Sequence, residues 1–401
     1  MQVDVDVAIF GGGIAGLWLL DTLRRRGAAA VVLEAGRLGS GQTIASQGIL
    51  HGGLKYTLAG RLTGSARAIR EMPALWRRCL EGQTEPDLSG TRLRSDHCLL
   101  WRSGSWSGMA GMIGARVGLR VAPVELPIEQ RPQVLRGCPG AVYRVDEPVL
   151  CPRSLLERLA QRNAGLVWKV EAESWEPEVR GGRVLGIRLA DSTELRPRYI
   201  VLTAGQGNAA LRRRLGLADS VMQRRPLHMV LVRGGSPAAA GVELPMLHGH
   251  CVEGSRTRIT ITSDRDSAGR VVWQVGGQIA EDGVSMDEEA LLRHAKQELE
   301  ACIPAIDLRG VAWSSYRVDR AEPATGEGSR PQDIGLIVEE NVLTAWPTKL
   351  VLAPHLADTI VARLELSRHC GDPGMIRSMG AAAPQLAELP WEQEARWKEG
   401  I

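Results

Sequence analysis

The chain has no apolar run near the roughly 20 residues that a membrane-spanning helix needs, no Cys-x-x-Cys pair and no long basic block. Each absence removes a class of function. Without an apolar run no transmembrane segment is expected, although peripheral membrane contact, which needs no span, stays compatible. The cysteines at 79, 98, 138, 151, 251, 302 and 370 are odd in number and irregular in spacing. They form neither a disulfide framework nor a zinc site, and reduced, buried thiols are expected. The formal net charge is +3, and the "RRR" clusters at 24–26 and 212–214 are too short for a nucleic-acid footprint. The N-terminal "MQVDVDVAIFGGG" lacks the basic region and cleavage site of a signal peptide, so a cytoplasmic location is expected. No internal repeat or low-complexity linker breaks the 401 residues, a length that suits one large or two interleaved domains.

What is present begins at residue 3. "VDVAIF" alternates and then turns apolar, as a buried strand does. "GGGIAG" follows and supplies Gly11-x-Gly13-x-x-Gly16. Leu17, Leu20 and Leu23 then recur at helical spacing from Ile14 until Gly27, and "AAVVLEAG" reads as a second buried strand ending at Glu34. In a dinucleotide site Gly11 permits the tight turn, Gly13 lets backbone approach a pyrophosphate, and Gly16 lets helix and strand pack closely. The helix N-terminus offers free N–H groups to the phosphates, and Glu34 can accept hydrogen bonds from a ribose. The strand–turn–helix–strand–acid context is what gives the motif weight. The acidic Glu34 argues against a 2′-phosphate and hence against NADP.

Beyond Glu34, regular βαβ units do not continue. "GRLGSGQTIASQGILHGGLKY" is glycine-rich, polar and irregular, a loop expected to carry contacts. Taken with three other segments, it makes the chain resemble the FAD-dependent oxidoreductases of the D-amino-acid oxidase superfamily. That superfamily includes glycine and sarcosine oxidases, L-2-hydroxyglutarate oxidase and flavin-linked glycerol-3-phosphate dehydrogenase. The segments are Gly11 to Glu34, "HGGLKY" at 51–56, "RYIVLTAGQGNAAL" at 198–211, and the strand–loop–helix of 335–364. The last has "TAWPTKL" where the family loop is richer in glycine. The resemblance implies FAD as cofactor and an α/β chain (α+β overall): a Rossmann-type FAD-binding domain interrupted by an antiparallel β-sheet substrate domain. The expected FAD-binding parts are 1–80, 146–220 and 305–370; 81–145 and 221–304 are the substrate domain, and 371–401 is a tail without an assigned role. In 222–284, alternating β-branched runs read as antiparallel strands, and Ser285 and Glu288 as a capping box for the next helix.

The resemblance also places candidate residues. Expected around FAD are Gly11, Gly13, Ile14, Ala15, Gly16, Glu34, Ala35, Ser46, Gln47, Gly48, Val170, Ala204, Gly205, Trp346, Thr348, Lys349 and Leu350. A helix starting near Thr348 to Ala353 would aim N–H groups at the flavin pyrimidine. For catalysis the candidates are His51, Lys55 and Arg317. His51 has three open roles: taking a substrate proton, attaching FAD covalently, or shaping the loop. Lys55 is read as binding an anion or a flavin oxygen, or as solvated. Arg317, in "WSSYR", resembles an arginine that grips a substrate carboxylate in glycine and sarcosine oxidases; Arg330 competes for that role, and Tyr316 supports either. His248 and His250 share a strand face without an evident third ligand, so no metal is expected; with His228 they are candidate cavity walls.

The function read from all this is removal of a hydride from the CH–OH carbon of a small anionic substrate, a 2-hydroxy acid or polyol phosphate. The flavin is then reoxidised by oxygen, a quinone or another acceptor. Amino-acid or secondary-amine oxidation, and a flavin-binding subunit of a larger assembly, stay open as alternatives. Substrate identity, acceptor and oligomeric state are not read from the sequence.

Overall fold

The expected first strand forms as β1 (Gln2–Phe10), buried without interruption from Val5 onward. It runs into α1 (Ile14–Arg25) and then β2 (Ala30–Glu34), parallel to β1 with Val7 opposite Ala30. A computed structural model describes the chain except residues 53–63, 105–122, 236–241, 255, 327, 332, 367–371, 379–381 and 394–395.

β1 and β2 are the centre of an eight-stranded sheet. On one side of β1 lies Glu194–Leu202, then Val342–Trp346; on the other lies β2, then Val167–Lys169. All of these are parallel. Gly335–Glu339 adds an antiparallel edge, and Trp175–Arg180 with Arg183–Leu189 forms an antiparallel branch on Glu194–Leu202. Strands buried on both faces need helical cover. α1, Pro152–Arg162 and Ala353–Val361 provide it, with Pro354 in the first turn of the last helix, where its missing N–H costs nothing. Trp76 is fully buried among these helices; its ring lies 4.6 Å from that of Trp18 and its indole N–H donates to Val351 O at 2.9 Å.

The second layer is a nine-stranded sheet. Its centre is Met222–Arg233, Val271–Gly276, Arg256–Arg265 and Gly249–Glu253, all antiparallel neighbours, as the β-branched alternation indicates. Gly249–Glu253 then pairs in parallel with Cys98–Arg102. Ala312–Pro323 pairs with Met222–Arg233 along its whole length. This strand was expected with the FAD-binding part, because 305–370 was read as one block; its alternation of polar and apolar residues belongs instead to the large sheet. The helix Glu288–Cys302 starts differently from the expected capping box. Asp287 is its N-cap, accepting from Ala290 N–H at 2.8 Å, while Ser285 donates to Asp282 O.

The tail folds back on the body. Lys398–Glu399 pairs with the start of Ala312–Pro323, Leu386 bridges Leu38, and Trp391 is buried against Arg94.

Candidate active site

Two glycine-rich stretches carry the candidate site. The first is the glycine turn after β1. Gly11 has φ +106°, and a Cβ there would lie 2.5 Å from Ala204 Cα. A Cβ on Gly16 would lie 2.0 Å from Gly11 O, so α1 can sit against the turn only without one. No acid stands in the first turn of α1, and among the described residues no side chain caps it at Gly13; there Ile14 N–H alone reaches a side chain, Thr43 Oγ1 at 3.2 Å. The helix start therefore keeps donors for a phosphate. Glu34 closes the turn from the end of β2. Its carboxylate accepts Gly12 N–H and Gly36 N–H, both at 2.6 Å. Val170 N–H donates to Glu34 O at 3.0 Å, which carries Val170 to the same edge. Ala35 O accepts from Lys169. Ala204 and Gly205 (φ +58°) begin the turn after Glu194–Leu202, alongside Gly11. An uncapped helix start, a bare glycine turn and an acid at its rim fit a dinucleotide pyrophosphate and ribose.

The second is the stretch 46–52. Ser46 is partly buried. Gln47 crosses to the large sheet, donating to Thr260 O (3.0 Å) and Gln274 O (2.8 Å). Gly48, at φ +75°, has Leu150 O where a Cβ would be, at 2.0 Å. Its bareness thus admits the backbone of Val149–Leu150. Leu150 N–H donates to Gly48 O and Leu50 N–H to Pro148 O, both at 2.9 Å. This pairing brings Glu147 beside His51.

Glu147 is nearly fully buried, its side chain 4 % exposed. Its Oε2 lies 3.1 Å from His51 Nδ1 and 3.8 Å from His250 Nε2, and its Oε1 accepts Gly52 N–H at 2.7 Å. Burial alone would raise the carboxyl's proton affinity. The neighbouring His51 and His250 outweigh it and hold Glu147 well below the usual carboxylate range. His250 is fixed from behind by Thr260 Oγ1, 2.9 Å from its Nδ1. The three ligand-type atoms lie within 4.8 Å of one another, a spacing that would also admit a metal ion, so His250 meets here the further ligand-type groups that the sequence did not show. Glu147 was missed because nothing in "DEPVL" marks it; only its placement against residues 48–52 does.

The other candidates separate. Lys55 lies outside the described residues. Tyr316 and Arg317 sit on opposite faces of their strand. Tyr316 OH donates to Ala45 O at 3.1 Å and lies 2.5 Å from Gln274 Nε2, toward the loop. Arg317 is exposed, and its guanidinium donates to Val284 O (3.1 Å) and Met286 O (3.0 Å) on the far side. The period-two alternation thus carries Arg317 away from the loop. His228 goes with it, bonded to Gly283 O and Ser315 Oγ. His248 is buried and held down to about 4 by burial and by Arg94; its Nδ1 accepts Ser263 N–H at 3.3 Å, a structural role.

Arg320, four residues beyond Tyr316, shares its face. Ala321 N–H meets Gln42 Oε1 of the loop at 3.2 Å. Arg320 Nη2 reaches Glu281 at 3.2 Å, while Nη1 is buried with no partner among the described residues. Burial, then Arg330 and Arg225, lower its proton affinity. Lys349, buried after Val342–Trp346, feels the same Arg330, and its ammonium is held down to about 7 by burial and by that charge. Trp346 is buried, Thr348 has φ +57° with its Oγ1 on Asp333 O at 3.0 Å, and Leu350 opens a short turn that runs into Ala353–Val361. A left-handed threonine stands here in a loop that is richer in glycine in the family.

A family model described as FAD dependent oxidoreductase matches residues 6–353. The chain is 43% identical over 397 residues to the probable FAD-dependent oxidoreductase PA4991 of Pseudomonas aeruginosa, covering 98% of this chain and 97% of that one. The crystal structure of PA4991 superposes with a TM-score of 0.81 at 39% identity, over 98% of each chain. Two more distant structures share the fold. Glycine oxidase from Geobacillus kaustophilus has a TM-score of 0.59 at 18% identity, over 93% of this chain and 98% of that one. FAD-bound L-alpha-glycerophosphate oxidase from Mycoplasma pneumoniae has 0.61 at 13%, over 92% and 97%. The chain belongs to the D-amino-acid oxidase family of FAD-dependent oxidoreductases.

Proposed function

We propose that this oxidoreductase dehydrogenates the CH–OH carbon of a small anionic substrate, a 2-hydroxy acid or a polyol phosphate. The observation that carries the reading is the His51 imidazole. One nitrogen is engaged by Glu147, and the side chain is 34% exposed, so the other can meet a substrate. Bound FAD supplies the hydride acceptor. His51 Nε2 takes the hydroxyl proton as the C–H bond breaks, so hydride and proton leave together and a carbonyl remains. Arg320 takes the clamping role first read for Arg317, since its Nη1, buried with no partner among the described residues, offers a donor to the substrate anion. Arg330 adds positive charge nearby.

The test is anaerobic mixing of the purified holoprotein with glycerol 3-phosphate, lactate, 2-hydroxyglutarate, glycine, sarcosine and L-proline, following flavin bleaching. Bleaching by one of the first three is expected. Bleaching only by the amines moves the reading to amine oxidation, and bleaching by none, with a stable protein partner, moves it to a flavin-binding subunit.

A further inference from the structure

We propose that Glu147, with His250 behind it, is the positioning residue that fixes the His51 tautomer, keeping the proton on Nδ1 and the lone pair on Nε2. This inference rests on the reading of His51 as the base.

The argument is one of donors and acceptors. An ionised carboxylate can only accept hydrogen bonds, whereas neutral imidazole has one N–H and one lone pair. The oxygen 3.1 Å from His51 Nδ1 therefore demands the proton there. Nε2, the nitrogen away from the carboxylate, is left as the basic one. Glu147 is kept ionised and in place by two further groups: Gly52 N–H on its other oxygen at 2.7 Å, and the His250 ring, itself anchored to Thr260. The His51 and His250 rings lie 5.5 Å apart, both turned to the same carboxylate oxygen. When Nε2 gains the substrate proton, His51 becomes a cation beside a buried anion, so the charge made in the reaction is met where it forms. A purely structural Glu147 would tie residue 52 to the turn through Oε1 alone. The two roles use different oxygens, and that makes them separable.

Glu147→Gln separates them. Its amide oxygen can still accept Gly52 N–H while its NH2 faces His51, which reverses the demand and places the imidazole proton on Nε2. The measurement is 15N NMR of the ring nitrogens in histidine-labelled holoprotein, with His51 assigned from His51→Gln. Wild type is expected to show Nδ1 protonated and Nε2 as the pyridine-type nitrogen, and Glu147→Gln the reverse; Glu147→Asp, which keeps the charge, is expected to retain the wild-type tautomer. Flavin reduction by glycerol 3-phosphate or lactate is expected to fall by roughly 100-fold or more in Glu147→Gln, by analogy with the loss of about 10⁴ when a histidine-orienting carboxylate becomes an amide. Reduction by dithionite should be unchanged. An Nε2–H tautomer in wild type, or the same tautomer in wild type and Glu147→Gln, overturns the proposal. If His51→Gln is reduced by these substrates as fast as wild type, it is the reading of His51 as base that fails.

Discussion

The turn at 11–16 and the stretch at 46–52 are both rich in glycine, and both put backbone where a side chain would not fit. They differ in where the partner comes from. Gly16 lies against Gly11 O, five residues away, and the acid that closes the turn stands at the end of the next strand. Gly48 lies against Leu150 O, and the acid that reaches His51 comes from residue 147. The first is built mostly within one βαβ unit, with Ala204 of a distant strand packed against Gly11. The second exists only once distant segments have docked, and through Gln47 it ties the loop to the large sheet at a seam.

That difference can be broken from the local side first. Gly16→Ala places a methyl 2.0 Å from backbone oxygen, and no flexible side chain can yield. Purified Gly16→Ala is expected to lack FAD or to be insoluble, read as the ratio of flavin to protein absorbance. Gly52→Ala, whose Cβ would meet nothing nearer than 3.7 Å, should keep its FAD. Equal flavin loss in both would erase the distinction.

At the seam the anion clamp is the next test. Arg320→Ala is expected to raise KM for the anionic substrate by about 10- to 100-fold, the cost of losing a hydrogen bond to a charged group. Arg317→Ala should leave KM within about twofold, because its guanidinium serves backbone carbonyls on the other face. A larger effect at Arg317 restores the assignment made from the sequence.

The smallest effect concerns Lys349. Its folded-state value of about 7 lies below the ordinary 10.5 because of burial and Arg330. Between these values the unfolded chain holds a proton that the folded chain has released, so stability rises with pH across that window. The cost of the buried charge is present in full below pH 7. Lys349→Met is expected to melt a few degrees higher than wild type at pH 6, with the gain shrinking toward pH 10, measured by thermal unfolding. A gain that widens with pH would contradict this.

The sequence carried the nucleotide turn almost completely, since strand period, glycine spacing and Glu34 all lie within one βαβ unit. The antiparallel sheet was also legible from its alternating β-branched runs. Arg317 stands on the face turned from the loop, and a short motif names a strand while leaving its face undecided; Arg320, on the other face, is the clamp of the proposal. Glu147 was invisible for a different reason. A lone glutamate in a turn gains meaning only from the backbone pairing of Gly48–Leu50 with Pro148–Leu150.

The central claim is that His51, held at the seam, takes the substrate proton. Stopped-flow anaerobic reduction of the flavin in wild type and His51→Ala, with the hydroxy substrate that bleaches wild type fastest, tests it directly. The expected result is equal FAD content and a reduction rate lower by about 10²–10⁴ in the variant. Full FAD content with an unchanged reduction rate would contradict the account.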